Sequence, residues 1–165
     1  MAVDMKGGMF TSLRGDWETP QDLFDQLDAT FHFTLDACAD DTNYKVAKYF
    51  DEATDALSRP WGTVESPEVV WMNPPYGREI GKWLKKAFDE VEAGRVSKAV
   101  CLVPSRTDTK WWHDYCMKGD IYFVKGRLKF GGAKTAAPFP SAIVVFGGRL
   151  PTDLGMRHRL HMEGE

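Results

Sequence analysis

Val69–Gly77 reads VVWMNPPYG. Its first half is an apolar run of β-branched and aromatic residues, which suits a buried strand. Its second half ends that strand, because Pro74 and Pro75 have no N–H to give to a ladder. Each proline also pushes the residue before it out of the helical region, so the backbone is stiff and its carbonyls turn outward. Two acceptors can then converge: the Asn73 side-chain carbonyl and the Pro74 backbone carbonyl. An amine lying between them would donate both hydrogens. Its lone pair would be drawn away from the ring that carries it, making the nitrogen a better nucleophile. Tyr76 offers a flat face for that ring, worth about 1–3 kcal/mol per stacked base. The plain alternative is a proline-rich turn between a strand and a loop. Adjacent prolines alone prove little; the asparagine, the aromatic and the strand together point to chemistry.

The elements around this stretch alternate. EIGKWLKKAFDEVEAG predicts an amphipathic helix with Ile80, Trp83, Leu84, Ala87, Phe88 and Val91 on one side and Gly94 at its stop. KAVCLVP is a second short apolar strand ended by proline, and DTKWWHDYCM a second helix. DIYFVKG and SAIVVFGG are late strands with no helix between them. Upstream, TPQDLFDQLDATF begins a helix with Thr19 as N-cap and Pro20 at the first helical position, burying Leu23, Phe24, Leu27 and Phe31. FHFTLDACA reads as a strand ending near Asp36, TNYKVAKYF as a short helix or turn, and residues 59–68 as a loop. Strands alternating with helices predict a mostly parallel, doubly wound α/β sheet with an antiparallel pair at one edge. Such sheets bind ligands beyond the carboxyl ends of their strands, where Asp36, Asn73 and Pro104 all fall.

The chain has 165 residues, 43% hydrophobic and 13% aromatic, enough for one domain with a real core. The expected division is a loose arm over 1–16, a single domain over 17–150 and a polar tail over 151–165. A formal charge of −3 does not announce a nucleic-acid binder, so any such role needs a local basic patch. Three widely spaced cysteines, Cys38, Cys101 and Cys116, form neither a zinc pattern nor an even disulfide set. The sequence has no signal-type apolar segment and no run long enough for a membrane span, which points to a cytoplasmic protein with no metal.

NPPY after an apolar strand resembles the signature of amino-group methyltransferases that use S-adenosylmethionine. The wider pattern, WETPQDLFDQL, FTLDACAD, DAL…W, WMNPPYG, LVPSRTDTKWW, GRLKF and PFPSAIVVF, resembles the small phage DNA N6-adenine methyltransferases of Dam type from residue 17 to 146. The resemblance implies a Rossmann-like methyltransferase fold, S-adenosylmethionine as cofactor and DNA as partner. Asn73, Pro74, Pro75 and Tyr76 would then be the catalytic stretch. Trp17, Thr19 and Pro20 would line the methionine end of the cofactor, its carboxylate meeting the helix N-terminus. Asp36 would meet its ammonium or sulfonium region, with Ala37, Cys38 and Ala39 keeping the turn small where many relatives carry a glycine-rich loop. Asp55 would hold its adenine amine or ribose, with Asp40, Asp41 and Asn43 as further candidates for the ribose.

A target base must be flipped out of a duplex or taken from a single strand. Phe139 would give it a second stacking face beside Tyr76. Arg78, Arg106 and Arg127 would contact phosphates, with Lys110, Lys125, Lys129 and Lys134 nearby. The chemistry is a direct displacement, so His32, His113, His158 and His161 receive no role. The clamp also accepts RNA adenine, cytosine N4 or a protein amide, and a binding module without catalysis is a further alternative.

Overall fold

The computed structural model describes residues 17–131 and 135–148 and the backbone of 159–160. The expected arm, Lys134 and the rest of the tail lie outside the described residues. Helix α1 spans Gln21–Phe31 and buries Leu23, Phe24, Leu27 and Phe31, the apolar face read from the sequence. Pro20, not Thr19, stands at its N-cap, and no side chain caps it. His32 closes the helix in the left-handed region at φ 54°, its N–H donating to Asp28 O at 2.9 Å, so it caps a helix rather than opening a strand.

Strand β1, Leu35–Asp36, is short, and its edge is extended by a single bridge between Asp36 and Tyr49. The connection that follows carries only a 3-10 turn at Ala56–Ser58 before strand β2, Glu68–Met72. Helix α2, Ile80–Glu92, leads to β3, Val96–Pro104. Helix α3 is shorter than expected, Lys110–Asp114, because the chain tightens into a 3-10 turn at Cys116–Lys118. Strands β4, Asp120–Val124, and β5, Ser141–Phe146, follow, and β6, Arg159–Leu160, lies beside β4.

The sheet order is β1-β2-β3-β5-β4-β6. Strands β1, β2 and β3 are parallel, β5 is antiparallel to both β3 and β4, and β6 is parallel to β4. The mostly parallel sheet with an antiparallel pair is thus present, with the reversed strand β5 inserted between β3 and β4. Side-chain alternation separates the faces. On one, Phe24 of α1 and Phe33 pack against Trp71. On the other, Phe88 of α2 meets Phe146 of β5, and Trp111 of α3 approaches Gly81 of α2. Helices on both faces make the sheet doubly wound. Its carboxyl edge gathers Asp36, the residues after Met72, Pro104 and the start of the reversed strand β5 at Ser141.

One buried acid anchors the α2 side. Glu90 is fully buried on the apolar face of α2, where a spacing argument places only hydrophobic residues. Its Oε1 accepts from Lys86 Nζ and Arg95 Nη2, each at 2.8 Å, and its Oε2 from Arg95 Nε at 2.8 Å and Trp61 N at 3.1 Å. Trp61 is thereby fixed under the connection, its Nε1 donating to Ala56 O at 2.8 Å. Burial by itself would raise the Glu90 carboxyl, but the bonds from Arg95, Lys86 and Trp61 prevail and hold it at about 2. A carboxyl lowered on folding stabilises fully above its ordinary value of 4.5, and that stabilisation is lost as pH falls through about 2. Gly94, at φ 78°, then turns the chain away from α2 in a conformation that a side chain would strain.

Glu90→Ala leaves two cations and a buried N–H without an acceptor, so denaturant unfolding should show a loss of about 3–5 kcal/mol. A loss below about 1 kcal/mol would mean that solvent takes over the acid's role.

Candidate active site at the carboxyl edge of the sheet

The prolines after β2 act as the sequence suggests. No described N–H donates to the Pro74 carbonyl, and Gly77 at φ 117° lets the chain swing from the motif into α2. Asn73 is held from outside the sheet. Its Nδ2 donates to Trp17 O at 2.7 Å and to Thr19 Oγ1 at 3.1 Å. A backbone carbonyl can only accept, so the amide orientation is fixed by chemistry: nitrogen toward Trp17, oxygen away. The Asn73 Oδ1 so directed is buried and has no hydrogen-bond partner among the described residues. Buried acceptors are nearly always paired, so an orphan of this kind leaves a place for a donor from water or from a ligand.

The Thr19 hydroxyl is engaged by Asn73 rather than by a helix N–H. Glu18 O accepts from Gly131 N at 2.8 Å, so the 17–19 strap is tied both to the motif and to the segment after β4.

A cleft of about 510 Å³, partly open to solvent, lies against these residues. Trp17, Thr19, Asp36, Cys38 and Asn73 to Tyr76 all line it. Glu18, Ala39, Asp40, Asn43, Lys45 and Trp71 complete it. Of the three further candidates, Asp40 and Asn43 are in the wall and Asp41 is exposed outside it. Asp55 lines a second hollow, partly open to solvent, with Phe50, Asp51, Glu52, Ala56 and Trp83. Cys38 borders both cavities, so they adjoin. Asp55 sits at φ 52°, an unusual backbone for a residue with a side chain.

Two expected positions do not reach the cleft. Pro20 is absorbed into the turn of α1, its carbonyl accepting from Phe24 N at 3.1 Å. Ala37 is fully buried, its N–H donating to Trp71 O at 3.0 Å, so it extends the sheet.

Tyr76 is 4% exposed, and its hydroxyl reaches Leu102 O at 3.4 Å. Burial pushes its phenol well above the ordinary range, so it stays neutral. Its ring meets Phe139 at 5.7 Å and 76° and Phe130 at 6.3 Å and 83°. Trp17 packs edge-on to the same two phenylalanines, at 5.0 Å to Phe130 and 4.9 Å to Phe139. A two-sided slot needs parallel rings far enough apart to admit a third. Tyr76 and Phe139 are instead in edge-to-face contact, so the expected sandwich is not present in this arrangement.

Lys48, Lys82, Lys85, Lys86, Arg95 and Lys110 each have a carboxylate partner. Lys110 makes an exposed pair with Asp114 one helical turn on. Arg78, Arg106, Lys125, Arg127 and Lys129 are exposed and have no ion-pair partner among the described residues. All five follow the carboxyl ends of β2, β3 or β4. Arg127 makes one long bond, from Nη1 to Ala137 O at 3.4 Å.

Asp36 is 2% exposed at the end of β1. Its Oδ1 accepts from Cys38 N at 3.2 Å and its Oδ2 from Lys45 N at 3.0 Å. Burial raises its carboxyl, and these two N–H groups with the Lys45 charge offset only part of that, leaving it at about 6. The sign is opposite to that of Glu90. Asp36 stabilises the fold fully below 3.8, and that contribution is lost as pH rises through about 6. At neutral pH it is an ionised buried acid in a cleft, suited to a cationic ligand.

The sequence model of a family described as DNA N-6-adenine-methyltransferase (Dam) matches residues 8–145. A DNA N-6-adenine-methyltransferase of Escherichia phage T1 is 30% identical over 141 residues, covering 75% of this chain and 57% of that protein. A DNA N-6-adenine-methyltransferase of Haemophilus phage HP1 (strain HP1c1) is 26% identical over 145 residues, covering 82% of this chain and 80% of that protein. The chain therefore spans a little over half the length of the T1 relative.

The Asp36 carboxyl carbon, followed by NMR in the ligand-free protein, should titrate near 6. A midpoint in the ordinary carboxylate range would show that water reaches the group.

Proposed function

Because the chain belongs to the DNA N-6-adenine-methyltransferase (Dam) family, we propose that it transfers a methyl group from S-adenosylmethionine to N6 of adenine in DNA. The observation that carries this reading is the buried, unpartnered Asn73 Oδ1 beside a Pro74 carbonyl that no described N–H occupies. Asn73 Oδ1 and Pro74 O each take one hydrogen of the target amine, which turns its lone pair out of conjugation and toward the cleft. Trp17 O and Thr19 Oγ1 keep Asn73 from rotating to present its nitrogen instead. Pro75 keeps the clamp stiff, so little reorganisation is left for the reaction itself. Tyr76 stays neutral and supplies a stacking surface for the adenine, with Phe139 leaving its present contact to make room.

The two adjoining cavities fit the cofactor's chemistry. Asp36 offers a buried anion to its cationic end, and Cys38 marks the passage toward Asp55, which receives the adenosine end. S-adenosylmethionine bound there supplies a methyl group on a positively charged sulfur. Arg78, Arg106 and Arg127 hold the phosphates of a strand whose adenine is flipped out or already unpaired, their charge left free by the lack of acidic partners. We place this action on DNA in the cytoplasm of a phage-infected host. Among the described residues no helix is long and apolar enough to cross a membrane.

Asn73→Ala should keep S-adenosylmethionine binding close to wild type by calorimetry while methylation falls by about 100-fold or more. Digestion of treated DNA to nucleosides should show N6-methyladenine for wild type alone. Full activity in the variant would remove the clamp, and N4-methylcytosine in its place would correct the target.

A further inference from the structure

Lys45 comes from TNYKVAKYF, a stretch whose spacing marks it only as a short helix or turn, yet it lines the main cleft. Its side chain is 9% exposed. An ammonium carries three hydrogens to donate. Among the described residues one goes to Gln21 Oε1, a neutral acceptor, at 2.9 Å. The carboxylate within ion-pair distance, Glu18 Oε1, is 3.6 Å away, beyond hydrogen-bond length. Two N–H groups of this nearly buried cation are therefore left to donate to water or to a ligand in the cleft.

The backbone fixes where that cation stands. Lys45 N donates to Asp36 Oδ2, so the acid and the ammonium are set in one relation on the same cleft wall. The N-terminus of α1, the other candidate for an anion, is less suited: Leu23 N is taken by Asp22 Oδ1 at 3.0 Å, and neither residue lines the cleft.

We propose that Lys45 binds the carboxylate at the amino-acid end of the cofactor, while Asp36 faces the ammonium beside it. This rests on S-adenosylmethionine being the cofactor. Lys45 and Asp36 together then read a zwitterion: one cation and one anion held by a single backbone bond. A carboxylate accepting two charged hydrogen bonds from Lys45 also supplies what the lysine lacks in the ligand-free cleft.

The test compares S-adenosylmethionine with its decarboxylated analogue, which keeps the adenosine, the sulfonium and the amine. By calorimetry, Lys45→Met should weaken S-adenosylmethionine by about 10- to 100-fold and leave the analogue nearly unchanged. Lys45→Arg should recover part of the loss. Equal weakening of both ligands would make Lys45 a packing residue and overturn the proposal, as would no weakening of either. Wild type failing to bind S-adenosylmethionine at all would instead sink the cofactor assignment and this inference with it. A measurement on the wild-type chain stands independently of how the variants fold. Reductive methylation read by mass spectrometry should find Lys45 protected by S-adenosylmethionine but not by the decarboxylated analogue, and equal protection by both would overturn the assignment.

Discussion

A backbone carbonyl has no hydrogen to give, and the site is organised around that fact. Trp17 O accepts from Asn73 Nδ2, so the asparagine has one permitted orientation and its oxygen is delivered where nothing among the described residues answers it. The strap that supplies Trp17 is itself tied down by Gly131, beyond β4, and by Thr19. Segments from the beginning, middle and end of the fold are thus joined through this strap. The strands bring the motif to the carboxyl edge, the prolines stiffen it, and the strap chooses which of its atoms faces out.

Two buried acids show how similar groups acquire opposite meanings. Glu90 has two cations and a backbone N–H, and its carboxyl is held low at about 2. Asp36 has two backbone N–H groups and an incompletely engaged lysine nearby, and burial lifts it to about 6. The first fixes α2 and the connection at Trp61. The second carries an electrostatic cost that folding does not relieve, as expected of a group placed for a ligand.

The fold was largely legible because its signals are local. The period of α2, the apolar runs of β3 and β5 and the proline stops each lie within a few residues of the structure they specify. At the site, Asn73, Tyr76, Asp36, Cys38 and Asp55 were marked by motif or by position at a strand end. What could not be read depends on contacts across the chain. Thr19 has the chemistry of a helix cap, but Asn73, 54 positions away, engages its hydroxyl. Lys45 lies in a segment whose spacing gives no sign of burial, and Glu90 is a charged residue at a position that helical spacing gives to the apolar face of α2. Pro20 and Ala37 adjoin true cleft residues, yet the turn and the sheet absorb them. Phe139 packs in the same aromatic cluster as Tyr76, but the angle between their rings is a tertiary property.

A pair of fixed acceptors also counts hydrogens. On the proposed reading, a primary amine satisfies both Asn73 Oδ1 and the Pro74 carbonyl. Once a methyl group replaces one hydrogen, only one acceptor can be answered, and the other is left buried and bare at a cost of about 1–3 kcal/mol. The same rigidity that selects the unmodified base therefore loosens the hold on the modified one, which favours release after a single transfer and disfavours a second methylation of the same nitrogen.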